Sequence, residues 1–342
     1  MDKEYYPGVD GLRTVATVGI VMMHIRMNNK YAISGYIYNN VIPSFTNFVF
    51  LFMTLSAFSM CCGYYIKILS NQLPISDFYK RRIKRIWPFF AVLVSIDLIV
   101  SHSIDAIYEG FADLTLMFGL LPSAGNISVI GVGWFLGLIF VFYLCFPFFC
   151  FLLENRKRAW MAFAVSLILN FLCSRYFNVG RTNILYSSMF FVAGGLVYLY
   201  RAKIGQLNRG GVLLVSGIAV LVHYLIGGNP VTWLFVSVTL LMLQMGFRRG
   251  RKSRLLIKFS RISMEVYLCH MFIFRIIEKL RLNTIIGDGW FQYLTTVILV
   301  LVGSVLFAIL MQHLFKIGDG VITRRRKELT ERESAFSQQI PL

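Results

Sequence analysis

Apolar runs long enough to cross a lipid bilayer recur along nearly the whole of this 342-residue chain, and that feature excludes most folds. A membrane helix needs roughly 17–25 predominantly apolar residues. No soluble core requires so much apolar surface. Composition points the same way: 57% of the residues are hydrophobic and only 15% charged, where a soluble domain carries about a quarter. Ten runs can be delimited, at about 11–27, 45–66, 86–101, 132–153, 159–177, 183–200, 211–227, 231–247, 262–280 and 290–315. The expected fold is all-α, a polytopic transmembrane helix bundle of about ten spans. The stretch 111–122 is too short to span and reads as an interfacial or re-entrant helix.

The chain is strongly basic, with 34 Lys and Arg against 16 Asp and Glu. In a soluble protein that excess suggests nucleic acid. Here the bases lie in short clusters between apolar runs, where they set topology. With the N-terminus inside, 26 Lys and Arg fall in inside segments and six in outside ones, Arg13 and Arg275 lying within spans. Both termini are therefore expected in the cytoplasm, with the lipid bilayer as partner and no nucleic acid. The first apolar run is followed by Arg26, Asn28, Asn29 and Lys30 with no small-residue cleavage site, so it reads as a retained helix. Residues 1–320 read as one membrane domain and 321–342 as a charged cytoplasmic tail, loosely ordered at its end. The six cysteines sit in apolar runs without metal-ligand spacing and read as packing residues, so no metal site is expected.

Three constellations carry candidate chemistry. In DGLRTVATVGIVMMHI, Arg13 and His24 are eleven residues apart, three turns plus roughly 20°. They share a helix face and lie roughly 16 Å apart along its axis. Ionisable groups inside a membrane usually face the bundle interior or a wet cavity; a snorkelling Arg and a headgroup His would give the same spacing. In FYKRRIKRIWPFF, Arg82 and Arg85 stand three apart on one face. Guanidinium forks suit phosphate oxygens, although such clusters also anchor helices against anionic lipid. In SMEVYLCHMFI, Tyr267 and His270 stand one turn apart near mid-membrane, where they would shape a polar site or satisfy one another, while Glu265 points away from His270. His102 reads as an outer-loop residue, and His223 and His313 as structural.

Taken in order, DGLR…H, RRIKRI, WFL…FYL…P and SMEVYLCH resemble the acyltransferase-3 family of bacterial membrane proteins over essentially the whole chain. Arg13-x10-His24 and Arg82-x-x-Arg85 match its two best-marked motifs. Trp134, Phe142, Tyr143 and Pro147 match the fourth-span element, and Ser263, Tyr267, Leu268 and His270 the late one. One branch carries a Glu where this chain has Ile139 and Phe140, and the family's Phe-Phe-x-x-Ser-Gly appears as Phe52 to Ala57. Both departures fit the branch acting on cell-surface glycans without that Glu.

The resemblance implies a multi-pass protein of the bacterial inner membrane that moves an acyl group, acetyl or succinyl, from acyl-CoA to a hydroxyl of a cell-surface or lipid-linked glycan. Acyl-CoA is then substrate, and no bound cofactor is expected. Arg82 and Arg85, with Arg13, would hold the donor phosphates. His24 would act as general base, since a free imidazole with a pKa near 6.5 can accept a proton at neutral pH; a transient acyl-histidine is the alternative. His270 would orient the acceptor or the oxyanion, with Asp10, Trp134 and Tyr267 supporting. The rival classes are a glycan or solute transporter without acyl chemistry, and a structural partner in a glycan synthase.

Overall fold

Backbone in lipid has no water to bond, so it must satisfy its own N–H and C=O groups, and helices are what this chain forms. The computed structural model describes residues 5–101, 103–120, 131–245 and 253–337, with the backbone alone for 117 and 321–337. Among the described residues there is no strand. The order is α1 (Pro7–Asn28), α2 (Ile37–Leu69, with short π and 3-10 segments), α3 (Ile75–Ser101), α4 (Ile104–Leu114), α5 (Trp134–Glu154), α6 (Arg156–Arg175), α7 (Ile184–Ile204), α8 (Arg209–Ile226), α9 (Pro230–Met245), α10 (Arg254–Lys279) and α11 (Trp290–Ser337).

By length and composition α2, α5, α7, α8 and α11 as far as Gly320 are able to cross a membrane, and α9 is apolar but shorter. Helices α1, α3 and α10 fall outside that set, and these three carry the charged groups of the site described below. The division follows from solvent. A helix that meets lipid must be apolar, whereas one that lines a cavity can carry charge inward.

Helix α1 runs through the middle, packed against α2, α9, α10 and α11. Beside it α2 packs on α7 through aromatic stacks such as Phe50–Phe190, with centroids 4.2 Å apart. The approach depends on Gly194, where a Cβ would run into the Thr54 carbonyl of α2, the small-residue contact common between membrane helices. On the periphery α8 buries only Ser216 and His223 and turns Leu213, Leu214 and Leu221 outward.

One expectation is corrected. The segment at 111–122 is not one helix. Ser103 accepts from the Ala106 N–H at 3.0 Å and starts α4 earlier. Leu116, at φ +58°, takes the left-handed conformation rare for a non-glycine residue, and a 3-10 turn at Met117–Leu120 follows. Residues 121–122 lie outside the described residues, as does His102. In the tail, α11 continues to Ser337. Its sequence spaces Arg324 and Glu328, Lys327 and Glu331, and Glu328 and Arg332 four apart, a pattern that supports a helix with little packing.

Candidate functional site

The N-terminal end of α1 meets α2, α3 and α10 around a cluster of arginines. Arg13 Nη2 donates to Ser59 Oγ of α2 at 2.8 Å. Close by, Asp10 accepts from Ser260 Oγ and from the Tyr5 hydroxyl, each at 2.5 Å, and so ties α1 to α10 beside Arg13. Arg82 Nη2 donates to the Tyr64 hydroxyl at 2.5 Å. Its guanidinium lies 4.8 Å from the Tyr64 ring centre and 5.7 Å from that of Tyr143. Arg85 donates to the Arg261 carbonyl and pairs with Glu265 at 3.4 Å, while Gln312 of α11 donates to the same carboxylate at 3.1 Å.

Arg13, Arg82, Arg85, Tyr143, Glu265 and Tyr267 line one cavity of about 150 Å3. Three guanidinium groups meet there, with Glu265 paired to Arg85 and Asp10 beside Arg13, so the cluster keeps one positive charge in excess. Arg82 Nε is buried without a hydrogen-bond partner among the described residues. Buried donors ordinarily find partners, and a planar charged donor facing a cavity suits a phosphate or carboxylate ligand.

At the other end of α1 the two membrane histidines meet. The His24 and His270 rings lie with centroids 5.0 Å apart and planes at 60°. His270 is fully buried, and its Nδ1 is 2.6 Å from the Tyr267 carbonyl. A carbonyl can only accept, so Nδ1 carries the proton and Nε2 presents a lone pair. That Nε2 is buried and has no hydrogen-bond partner among the described residues. His24 instead faces a second cavity of about 610 Å3, which it shares with Asn28, Asp97, Arg275 and Lys279. Leu268 lines both cavities. The partition is completed by a hydrogen bond of 3.0 Å from the Tyr267 hydroxyl to the Val132 carbonyl, Tyr267 belonging to the first cavity and Val132 to the second.

The structure thus brings Arg13, Arg82 and Arg85 together, and His24 with His270, but in two compartments separated by α10 side chains. Tyr267 stands between them. Trp134 is not among the residues lining either cavity; it lies under the guanidinium of Arg181, 5.5 Å from the ring centre. Arg181 in turn donates to Thr46 Oγ1 at 2.6 Å. His223 is structural as expected, buried with Nδ1 2.9 Å from Thr232 Oγ1.

Sequence reasoning missed Glu265 as a partner of Arg85. It points away from His270, and that direction carries it into the arginine cavity. Asp97 was missed too, though a signal existed in a lone carboxylate within the apolar run 86–101. Ser59 and Tyr64 carried no signal beyond their helix. No curated protein and no solved structure shows a significant match to the chain. The model of the acyltransferase-3 family, an acyltransferase domain, matches residues 6–313, nearly the whole chain, and the protein therefore belongs to that family of membrane acyltransferases.

Proposed function

We propose that the protein transfers an acyl group, acetyl in the first instance, from cytoplasmic acyl-CoA to a hydroxyl of a cell-surface or lipid-linked glycan. In this reading the ten spans place both termini in the cytoplasm of a bacterial cell, and the protein resides in the inner membrane. The observation that carries the reading is the pairing of compartments: a cavity lined by three arginines with an excess of positive charge, and beyond one layer of side chains a larger cavity holding an imidazole.

The first cavity suits the phosphates of acyl-CoA, with Arg82 as the best-oriented fork and Arg13 and Arg85 beside it. The slender arm of the donor then has to pass Leu268 and the Tyr267–Val132 bond to bring its thioester to His24. There His24 takes the proton of the attacking hydroxyl. The oxygen bonds to the acyl carbon, the carbon–sulfur bond breaks, and the electron pair leaves on the CoA sulfur, which finishes as thiol once protonated. A proton-accepting nitrogen on His24 needs its other nitrogen protonated and held. The lone pair on His270 Nε2, fixed by the Tyr267 carbonyl, supplies an acceptor for that N–H after a small rotation of the His24 ring. His270 is thus a positioning residue in this scheme, where the resemblance implied that it orients the acceptor or the oxyanion.

The test is transfer of label from radiolabelled acetyl-CoA to a glycan extract by the purified protein. His24→Gln should transfer none while still binding CoA. His270→Gln should retain measurable turnover, because its amide oxygen accepts as Nε2 does, and His270→Leu should not. Absence of labelled glycan with the wild-type protein would sink the enzyme reading and leave transport. Full activity in His24→Gln would remove its role as base.

A further inference from the structure

Asp97 lies one turn before the end of α3, beside Leu93, Ile96 and Val100, and lines the cavity that His24 faces. A carboxylate beside apolar side chains calls for a hydrogen-bonding partner or water. Among the described residues Asp97 makes no hydrogen bond or ion pair, and the charge acting on it from its neighbour α4 is that of Glu109, which is also negative. Its carboxylate is therefore available to an occupant of the cavity.

The position repeats the logic of α1. Arg85 and Asp97 are twelve residues apart on α3, roughly 18 Å of helix, against roughly 16 Å between Arg13 and His24 on α1. Each helix places an arginine in the first cavity and a polar group in the second. At about 610 Å3 the second cavity falls within the roughly 300–1,000 Å3 of small-molecule sites.

We infer that Asp97 reads the acceptor: its carboxylate accepts hydrogen bonds from neighbouring hydroxyls of a sugar ring seated in this cavity, leaving the reacting hydroxyl at His24. An ionised carboxylate only accepts, so it selects an occupant rich in donors. Arg275 and Lys279 line the same cavity and disfavour a cationic occupant, which leaves a neutral or anionic polyhydroxylated ring. Arg275 is already bonded to Glu278 at 2.8 Å, so Asp97 is free of that guanidinium. This inference rests on the acyltransferase reading. Asp97 is a specificity residue in it, and takes no proton from the reacting hydroxyl.

The experiment measures label transfer from radiolabelled acetyl-CoA to glycan extracted from cells lacking this chain, with donor and acceptor varied in turn. Asp97→Asn keeps the shape and removes the charge. It should raise the half-saturating acceptor concentration about tenfold or more, the loss of about 1.4 kcal/mol expected for a charged hydrogen bond. The half-saturating acetyl-CoA and CoA binding should change less than about twofold. Asp97→Glu, which retains the carboxylate, should recover part of the acceptor affinity. CoA binding serves as the folding control. If acceptor dependence is unchanged in Asp97→Asn, or donor and acceptor dependence worsen together, the assignment is overturned while the enzyme reading stands. If the wild type transfers no label, the enzyme reading falls and this inference with it.

Discussion

Removing the carboxylate of Glu265 should tighten donor binding rather than weaken it. Glu265 is nearly buried, its side chain 8% exposed, and it holds Arg85 at 3.4 Å in the cavity proposed for the phosphates. A phosphate bound to Arg85 would stand roughly 6 Å from that carboxylate, and at an effective dielectric of ~20 their repulsion is ~3 kcal/mol. Water and salt at the cavity mouth reduce this, so Glu265→Gln should improve CoA binding by about 1–2 kcal/mol, roughly 5- to 30-fold in Kd. The cost to stability should stay under about 1 kcal/mol, because the Arg85 side chain is 46% exposed and the guanidinium can turn to water. Glutamine also keeps a side-chain amide within reach of Gln312. Calorimetric titration of CoA into detergent-solubilised protein at two salt concentrations reads the effect directly, with a steeper salt dependence expected in the variant. An unchanged or weaker Kd in Glu265→Gln, with the protein still folded, would show that the arginine cavity does not hold the phosphates.

Other outcomes follow from the same geometry. Arg82→Lys keeps the charge but loses the fork over Tyr64 and Tyr143, so CoA binding should weaken about tenfold, or ~1.4 kcal/mol, in the same titration; wild-type affinity would reduce Arg82 to a topological anchor. Cysteines at Ser34 and Asp288 should react with an impermeant thiol reagent applied from outside intact cells, and cysteines at Gln72 and Gln206 should not. The reverse pattern would put the arginine cavity on the wrong side for cytoplasmic acyl-CoA.

Much of this protein was legible in one dimension because lipid is an unforgiving solvent. Apolar runs had to be helices, and the ten expected runs correspond to α1–α3 and α5–α11, with most ends shifted by a few residues, the start of α3 by eleven and the end of α11 by 22. The eleven-residue spacing of Arg13 and His24 and the three-residue spacing of Arg82 and Arg85 set faces on helices, since helical geometry is local. The start of α4 was misjudged, because a single serine cap is a weak signal against a reading guided by hydropathy.

What only the tertiary structure decided is which faces meet. Arg13 and His24 share a face of α1, yet they open into different cavities, because α10 inserts Leu268 and Tyr267 between them. The contact of His24 with His270, and of Arg85 with Glu265, joins residues far apart in the chain whose pairing no local pattern encodes. The lone Asp97 was visible as a charge in an apolar run, but its facing the His24 cavity depends on how α3 leans against α10. Periodicity records the direction of a side chain around its own helix axis; the partner it meets is set by the rotation and tilt of neighbouring helices, which are fixed by packing throughout the bundle.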